Sequence, residues 1–278
     1  MKSIMKADLH NHSYYSDGVL SPRELVEESN KAGCDLFSLT DHDTTEGIIE
    51  AQLEADKLEL TLINGVEISA FWHNMAIHIV GLGIDINSDI LQNGLEHNRR
   101  LRKVRAEKIA LGLWRSGIKD ALEKAQKISG GSMLTRTHFA QMLIKEGHCK
   151  DMKSVFRRYL TGKKPGGVRV EWKTFDEVIH WIHSAGGKAL IAHPFRYQMT
   201  HTKIKKMLYD FKEASGDGFE VVNANSSEEE ISLGNQWSEN YNLLASCGSD
   251  FHGWPNQRIQ IGKLSDLPNP RRAVWSYL

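Results

Sequence analysis

Short apolar runs recur along this chain, each followed by a polar cluster and then by a segment of helical period. Ala7 opens a brief buried-type strand that gives way to His10, Asn11 and His12. Ser21-Pro22-Arg23-Glu24 reads as a helix start, with a serine cap, proline in the first turn and a glutamate closing a capping box. That helix is predicted to reach Ala32, where Gly33 supplies a left-handed stop. Cys34–Thr40 is the next strand and leads directly into Asp41-His42-Asp43. A helix over Thr45–Lys57 precedes a strand at Leu60–Ile63, which leads into Gly65-Val66-Glu67-Ile68-Ser69; Met75–Gly83 is a further strand, carrying His78. This repetition predicts a parallel α/β architecture and not a sandwich.

The rhythm changes between Glu96 and Val170. Lys, Arg, Leu and Ala dominate, and no strand signal appears until after Pro165, with Gly130-Gly131 and Gly166-Gly167 as breaks. Residues 97–170 are therefore expected to form a helical insertion or cap. Residues 1–96 and 171–278 are expected to form the main α/β body. Its pattern resumes with a helix over Phe175–Ser184, the stop Gly186-Gly187 and a strand at Lys188–Ala192 leading to His193-Pro194. Strands at Gly218–Val222 and Asn242–Ser246 follow, the latter running into Gly248-Ser249-Asp250-Phe251-His252. Pro270–Leu278 is expected to close the body as a last helix.

Composition narrows the function classes. The 278 residues include 35 basic and 35 acidic side chains, so affinity for long nucleic acid is not a property of the whole molecule. No apolar run approaches the roughly 20 residues that span a bilayer, and the first residues lack the apolar core of a signal peptide. Three widely spaced cysteines, Cys34, Cys149 and Cys247, suit reduced thiols in a cytoplasmic protein rather than a disulfide framework.

The histidines and carboxylates carry the chemistry. His10 and His12 lie two apart, on one side of an extended segment, and Asp17 can reach inward from the following turn. His42, Glu67, His78, His193 and the pair Asp250/His252 also sit where strands are expected to end. In a closed barrel the strand ends meet at one mouth, so these residues would converge on a polynuclear metal site. Mixed imidazole and carboxylate donors suit Mn²⁺, Fe²⁺ or Zn²⁺. A carboxylate bridging two such ions holds them about 3.5–4 Å apart, the spacing used to activate water and clamp a phosphoryl oxygen. Asp8, Asp41 and Asp43 flank the ligands as candidate acceptors for imidazole N–H groups. Arg99–Lys108 carries six cations and one acid, spread round the helix, and is expected to be a solvated face. Arg136, His138 and Arg196 are the candidate substrate contacts, the arginines because a planar guanidinium suits phosphate. Trp72 and Tyr197 read as packing residues near the mouth.

Together, Asp-Leu-His-Asn-His-Ser, Leu-Thr-Asp-His-Asp, Gly-Val-Glu-Ile-Ser, His-Ile-Val-Gly-Leu, Ala-His-Pro and Gly-Ser-Asp-Phe-His resemble the PHP (polymerase and histidinol phosphatase) superfamily over essentially the whole chain. The insertion segment Thr135-Arg136-Thr137-His138-Phe139-Ala140 resembles the branch of nucleoside 3′,5′-bisphosphate phosphatases and 5′→3′ exoribonucleases. The resemblance implies a distorted seven-stranded (β/α) barrel holding three divalent ions, commonly manganese. It implies His10, His12, Glu67 and Asp250 on the first ion. Glu67 would bridge to a second with His78 and His193, and Asp17, His42 and His252 would take the third. It further implies hydrolysis of a nucleotide 3′-phosphoester or the trimming of short single-stranded RNA from a 5′-phosphorylated end, with Glu67, Asp250 and His193 as the catalytic set. Neither a membrane nor an obligate protein partner is expected. Histidinol-phosphatase activity, an amidohydrolase reaction and a non-catalytic, metal-stabilised binding domain are the competing readings. Against the second, Glu67 stands where amidohydrolases usually place a modified lysine.

Overall fold

The computed structural model describes residues 5–130, 133–253 and 258–278. Its body is one seven-stranded sheet in sequential order: β1 (Ala7–Asp8), β2 (Leu36–Leu39), β3 (Thr61–Trp72), β4 (Met75–Leu82), β5 (Lys188–Ile191), β6 (Gly218–Asn223) and β7 (Leu244–Gly248). The sheet curls until its edges meet. Leu9 N donates to Cys247 O at 3.1 Å, and Asp250 N to His10 O at 2.8 Å. Helices α1 (Pro22–Lys31), α2 (Ile48–Leu58), α7 (Phe175–Ser184), α8 (His201–Glu213) and α9 (Glu228–Asn240) accompany the strands. The predicted Ser21/Glu24 capping box starts α1.

The barrel departs from the expected all-parallel arrangement. β4 runs antiparallel to both β3 and β5, whereas the other neighbours are parallel. The cause is the connection: only His73 and Asn74 lie between the paired residues Trp72 and Met75, and His73 adopts φ 41°. A two-residue link makes a hairpin, because a parallel crossover needs a dozen or more residues. The tail also differs from expectation. It forms two short 3₁₀ turns, Pro270–Arg272 and Val274–Ser276, with Ala273 bridging to Ala245 on β7.

Between β4 and β5 lie α3 (Asp89–Arg115), α4 (Ala121–Ser129), α5 (Arg136–Lys145), α6 (Met152–Val155) and a π-helical turn at Phe156–Leu160. Gly130 ends α4 at φ 62°; Gly131, its partner in the expected break, lies outside the described residues. Leu91 and Leu95 of α3 pack in the barrel's core, while Ala106, Ile109 and Leu113 join a second cluster with Phe139, Leu143 and Leu160. The expected boundary at residue 97 thus falls inside one continuous helix that belongs to both cores. This helix carries the cap over the barrel mouth.

Candidate metal centre

The turn after β1 and the segment after β7 are laid against each other by the barrel's closure. Gly248 makes this approach possible, since a Cβ there would stand 2.2 Å from His10 Cβ. Imidazole and carboxylate atoms from five strand regions then converge. Three groups have their ligand atoms within 4.8 Å of one another: His12, Asp17, His42 and His252; His10, His12, Glu67 and Asp250; and His42, Glu67 and His78. His193 reaches the same place, with Nε2 3.1 Å from Glu67 Oε1. All nine expected ligand positions therefore meet at one centre. His78 gets there from inside β4, opposite Ser69 on β3, and not from a strand end.

The donor set fits cations. His10 Nδ1 is engaged with Glu220 Oε1 at 2.5 Å, so its Nε2 presents a lone pair when the ring is neutral. That Nε2 lies 3.1 Å from His12 Nε2, a separation like that of two ligand atoms on one ion with bonds of about 2.0–2.2 Å. His42 Nδ1 and Glu67 Oε2 are 2.7 Å apart, yet they are not aligned as donor and acceptor. Both atoms, with Asp17 Oδ1, are buried without a hydrogen-bond partner. Buried polar atoms are normally satisfied. Unpaired atoms pointing at a common centre are what a cation would satisfy.

Protons answer the same electrostatic demand. Burial raises the Glu67 carboxyl, but His78, His42 and His10 hold it well below the usual range. Burial likewise works against ionisation of Asp17, which His252 and His42 nonetheless keep well below its ordinary value. His252 is disfavoured as a cation by burial, yet Asp17 and Asp250 push it up to about 10. Burial lowers His42 to about 4. The backbone is strained here too: Asp43, His193 and Asp250 have φ of 49°, 33° and 54°. Such conformations in non-glycine residues cost on the order of 1–3 kcal/mol each and gather at functional sites.

The flanking carboxylates do different work from that expected. Asp8 accepts from Ser249 N and Gly262 N, and Asp41 accepts from Ser13 and Ser16. Asp43 accepts from Ser69 N, Asn98 and Arg102. None of these bonds involves an imidazole; they brace loops and the cap. Glu220, missed in the sequence, holds the His10 ring and also accepts the His193 N–H at 2.6 Å. Its signal was an acid inside the otherwise apolar stretch Gly218-Phe219-Glu220-Val221-Val222. Tyr197 is half-buried beside the site, its hydroxyl accepting the His78 N–H at 2.8 Å. Trp72 donates through Nε1 to Asp210.

The centre opens into a cavity of about 700 Å³ roofed by the insertion. Arg136 lies on its wall, with its guanidinium over Phe156. His138 does not line it: its Nδ1 accepts the Thr135 N–H at 3.1 Å and closes the capping box of α5. Arg196 is paired with the Asp250 carboxylate. Arg102 and Arg105, expected on a solvated helix face, are 3% and 8% exposed and line the cavity beside Trp172. Asn98, Arg102, Arg105 and Ile109 recur at intervals of four, three and four, one helix face, which was the overlooked signal.

Comparisons with known proteins agree with this geometry. The family model described as the PHP domain matches residues 8–175. The chain is 39% identical to a 3′,5′-nucleoside bisphosphate phosphatase of Chromobacterium violaceum, over 98% of this chain and 95% of that one. It is 40% identical to a 5′-3′ exoribonuclease of Haemophilus influenzae, over 97% of this chain and 98% of that one. A solved structure of a Chromobacterium violaceum protein described as an amidohydrolase, with sulfate bound and no metal, superposes with a TM-score of 0.92 at 39% identity. That likeness covers 98% of this chain and 95% of the other.

Proposed function

The chain belongs to the PHP domain family, and on that premise we propose that it is a metal-dependent phosphoesterase of nucleotides and RNA ends. It hydrolyses the 3′-phosphoester of nucleoside 3′,5′-bisphosphates and trims short 5′-phosphorylated RNA as a 5′→3′ exoribonuclease. The two activities break the same bond, between a 3′ oxygen and phosphorus; in RNA that phosphorus also carries the next nucleoside. The relatives named for each activity lend support.

His10, His12, Glu67 and Asp250 would hold one divalent ion, Glu67, His78 and His193 a second, and Asp17, His42 and His252 a third; the mixed donors suit Mn²⁺, Fe²⁺ or Zn²⁺, and the family resemblance favours manganese. When bound, such ions supply Lewis acidity towards a phosphoryl oxygen and a nucleophilic water near neutral pH. Glu67 contributes a charge that compensates more than one cation. Glu220 fixes the His10 ring, and Tyr197 fixes the backbone of His78. Arg136 receives the phosphate that does not react. The insertion, residues 97–170, acts as the cap that brings this contact to the barrel. A reducing, cytoplasmic compartment suits the three free, buried cysteines.

The observation that carries the reading is the meeting of nine ligand-type side chains with a cavity walled by arginines. The test supplies Mn²⁺-loaded protein with adenosine 3′,5′-bisphosphate, histidinol phosphate and short RNAs bearing 5′-phosphate or 5′-hydroxyl. Release of 5′-monophosphates, faster from the 5′-phosphorylated strand, is expected. Preference for histidinol phosphate, or cleavage from the 3′ end, would overturn the assignment.

A further inference from the structure

Asp250 divides its two oxygens between different neighbours. Oδ1 faces the imidazoles, 3.4 Å from His10 Nε2, 3.1 Å from His12 Nε2 and 3.5 Å from His252 Nδ1. Oδ2 accepts instead from Arg196 Nη1. Glu67 differs: its Oε1 meets His10, His78 and His193, and its Oε2 meets His12 and His42. One carboxylate thus gives both oxygens to the imidazoles, while the other gives one and lends its second to an arginine.

Arg196 stands outside the cavity that Asp250 and His193 line, so its route to the chemistry runs through Asp250. Its backbone N–H donates to His193 O at 2.9 Å, in the 3₁₀ turn Pro194–Arg196 that follows β5. Asp250 follows β7, and β6 lies between those two strands. The guanidinium therefore ties one ligand-bearing turn to another across an intervening strand. Both turns hold a residue in the left-handed region, His193 at φ 33° and Asp250 at φ 54°. Such conformations persist only where neighbouring contacts enforce them. Glu220 on β6 braces the His193 backbone and the His10 ring. Among the described residues, Arg196 is the only group besides the imidazoles that holds the Asp250 carboxylate.

We propose that Arg196 is a positioning residue that restricts Asp250 to a single oxygen towards the metal centre. The sequence pointed to Arg196 as a phosphate contact; the geometry gives it a different task. A free carboxylate can turn and bind one ion through both oxygens. A charge-assisted bond from a guanidinium is among the strong ones, and it occupies Oδ2. Asp250 then ligates through Oδ1 alone, and the position a second oxygen would fill stays open, as metal-assisted hydrolysis requires. The proposal rests on the metal-dependent reading above and names the residue that sets how one of its carboxylates binds.

The test is a double-mutant cycle on metal affinity, which needs no turnover. Metal-free wild type, Arg196→Met, Asp250→Asn and the double variant are titrated with Mn²⁺, the free ion being read from its electron paramagnetic resonance signal. Arg196→Met is expected to move the binding midpoint upward about ten- to a hundredfold, the usual effect of losing a partner that orients a ligand. In the Asp250→Asn background the same change should have no effect, because the carboxylate that Arg196 holds is gone. Arg196→Lys, which restores a cationic donor, should recover part of the affinity. The Arg196 side chain is 32% exposed, so its replacement opens no cavity in the core; should Arg196→Met still fail to fold, Arg196→Gln enters the cycle with the same expectations. An equal loss of affinity in both backgrounds overturns the proposal. So does an unmoved midpoint with a raised KM for adenosine 3′,5′-bisphosphate, which would make Arg196 a substrate contact. If wild type binds Mn²⁺ but hydrolyses no phosphoester, the phosphoesterase reading falls, and the cycle still decides the role of Arg196.

Discussion

Arg102, on the cap helix α3, donates through Nε to the Asp43 carboxylate at 2.6 Å, and Asp43 follows the candidate metal ligand His42 directly in the chain. The same carboxylate accepts from Asn98 of α3 and from Ser69 N of β3. Cap and barrel are thus joined one residue from the candidate metal centre, through a pair in which Arg102 is 3% exposed and Asp43 wholly buried. Removing one partner of a buried ion pair costs about 3–5 kcal/mol, because the other charge is stranded. Arg102→Ala should lose stability on that scale in urea unfolding, and Arg102→Met with Asp43→Asn should lose less than the sum of the single changes. Strict additivity of the two losses would show that the pair does not couple cap to barrel.

Glu67 touches more of the centre than any other side chain. Its oxygens lie within 3.4 Å of His10, His12, His42, His78 and His193. Glu67→Gln removes the charge but keeps the shape. We expect a fall of at least about 10³ in kcat, in keeping with disabled metal-assisted hydrolysis, together with lower metal content by elemental analysis. Near-wild-type turnover with full metal content would rule out the bridging role.

Glu220 offers a subtler change. It belongs to none of the candidate ligand groups, yet holds the His10 ring and the His193 backbone. Loss of such a partner typically costs 10–100-fold in metal affinity or activity. Glu220→Gln should therefore shift the metal-activation midpoint upward by about that factor, with kcat partly restored at saturating metal. An unmoved midpoint would leave Glu220 a packing residue only.

Arg136→Ala should act on substrate choice and not on metal. The ratio of kcat/KM for bisphosphorylated over monophosphorylated nucleotide is expected to drop about ten- to a hundredfold, the worth of a charge-assisted contact. Metal content, read separately, should stay at the wild-type level. Equal losses on both substrates would contradict a role in reading the non-reacting phosphate.

Much of this centre was legible before any fold was known. Short-range rules wrote the Ser21/Glu24 cap and the run of strands, each followed by a polar cluster, and ligand chemistry picked out His10, His12, Asp17, His42, Glu67, His78, His193, Asp250 and His252. These features depend on local spacing, and local spacing is what a sequence states. The hairpin at His73-Asn74 was legible too, since two residues cannot carry a parallel crossover, but the α/β rhythm on either side masked it. The remaining roles depended on partners distant in the chain. Glu220 meets His10 across 210 positions, and Asp43 meets Arg102 across 59. The spacing of Arg102 and Arg105 with Asn98 and Ile109 marks one face of α3, but only the packing of cap on barrel makes that face buried. Burial and pairing of charge arise from the tertiary structure, because desolvation exists only where another part of the chain has displaced the water.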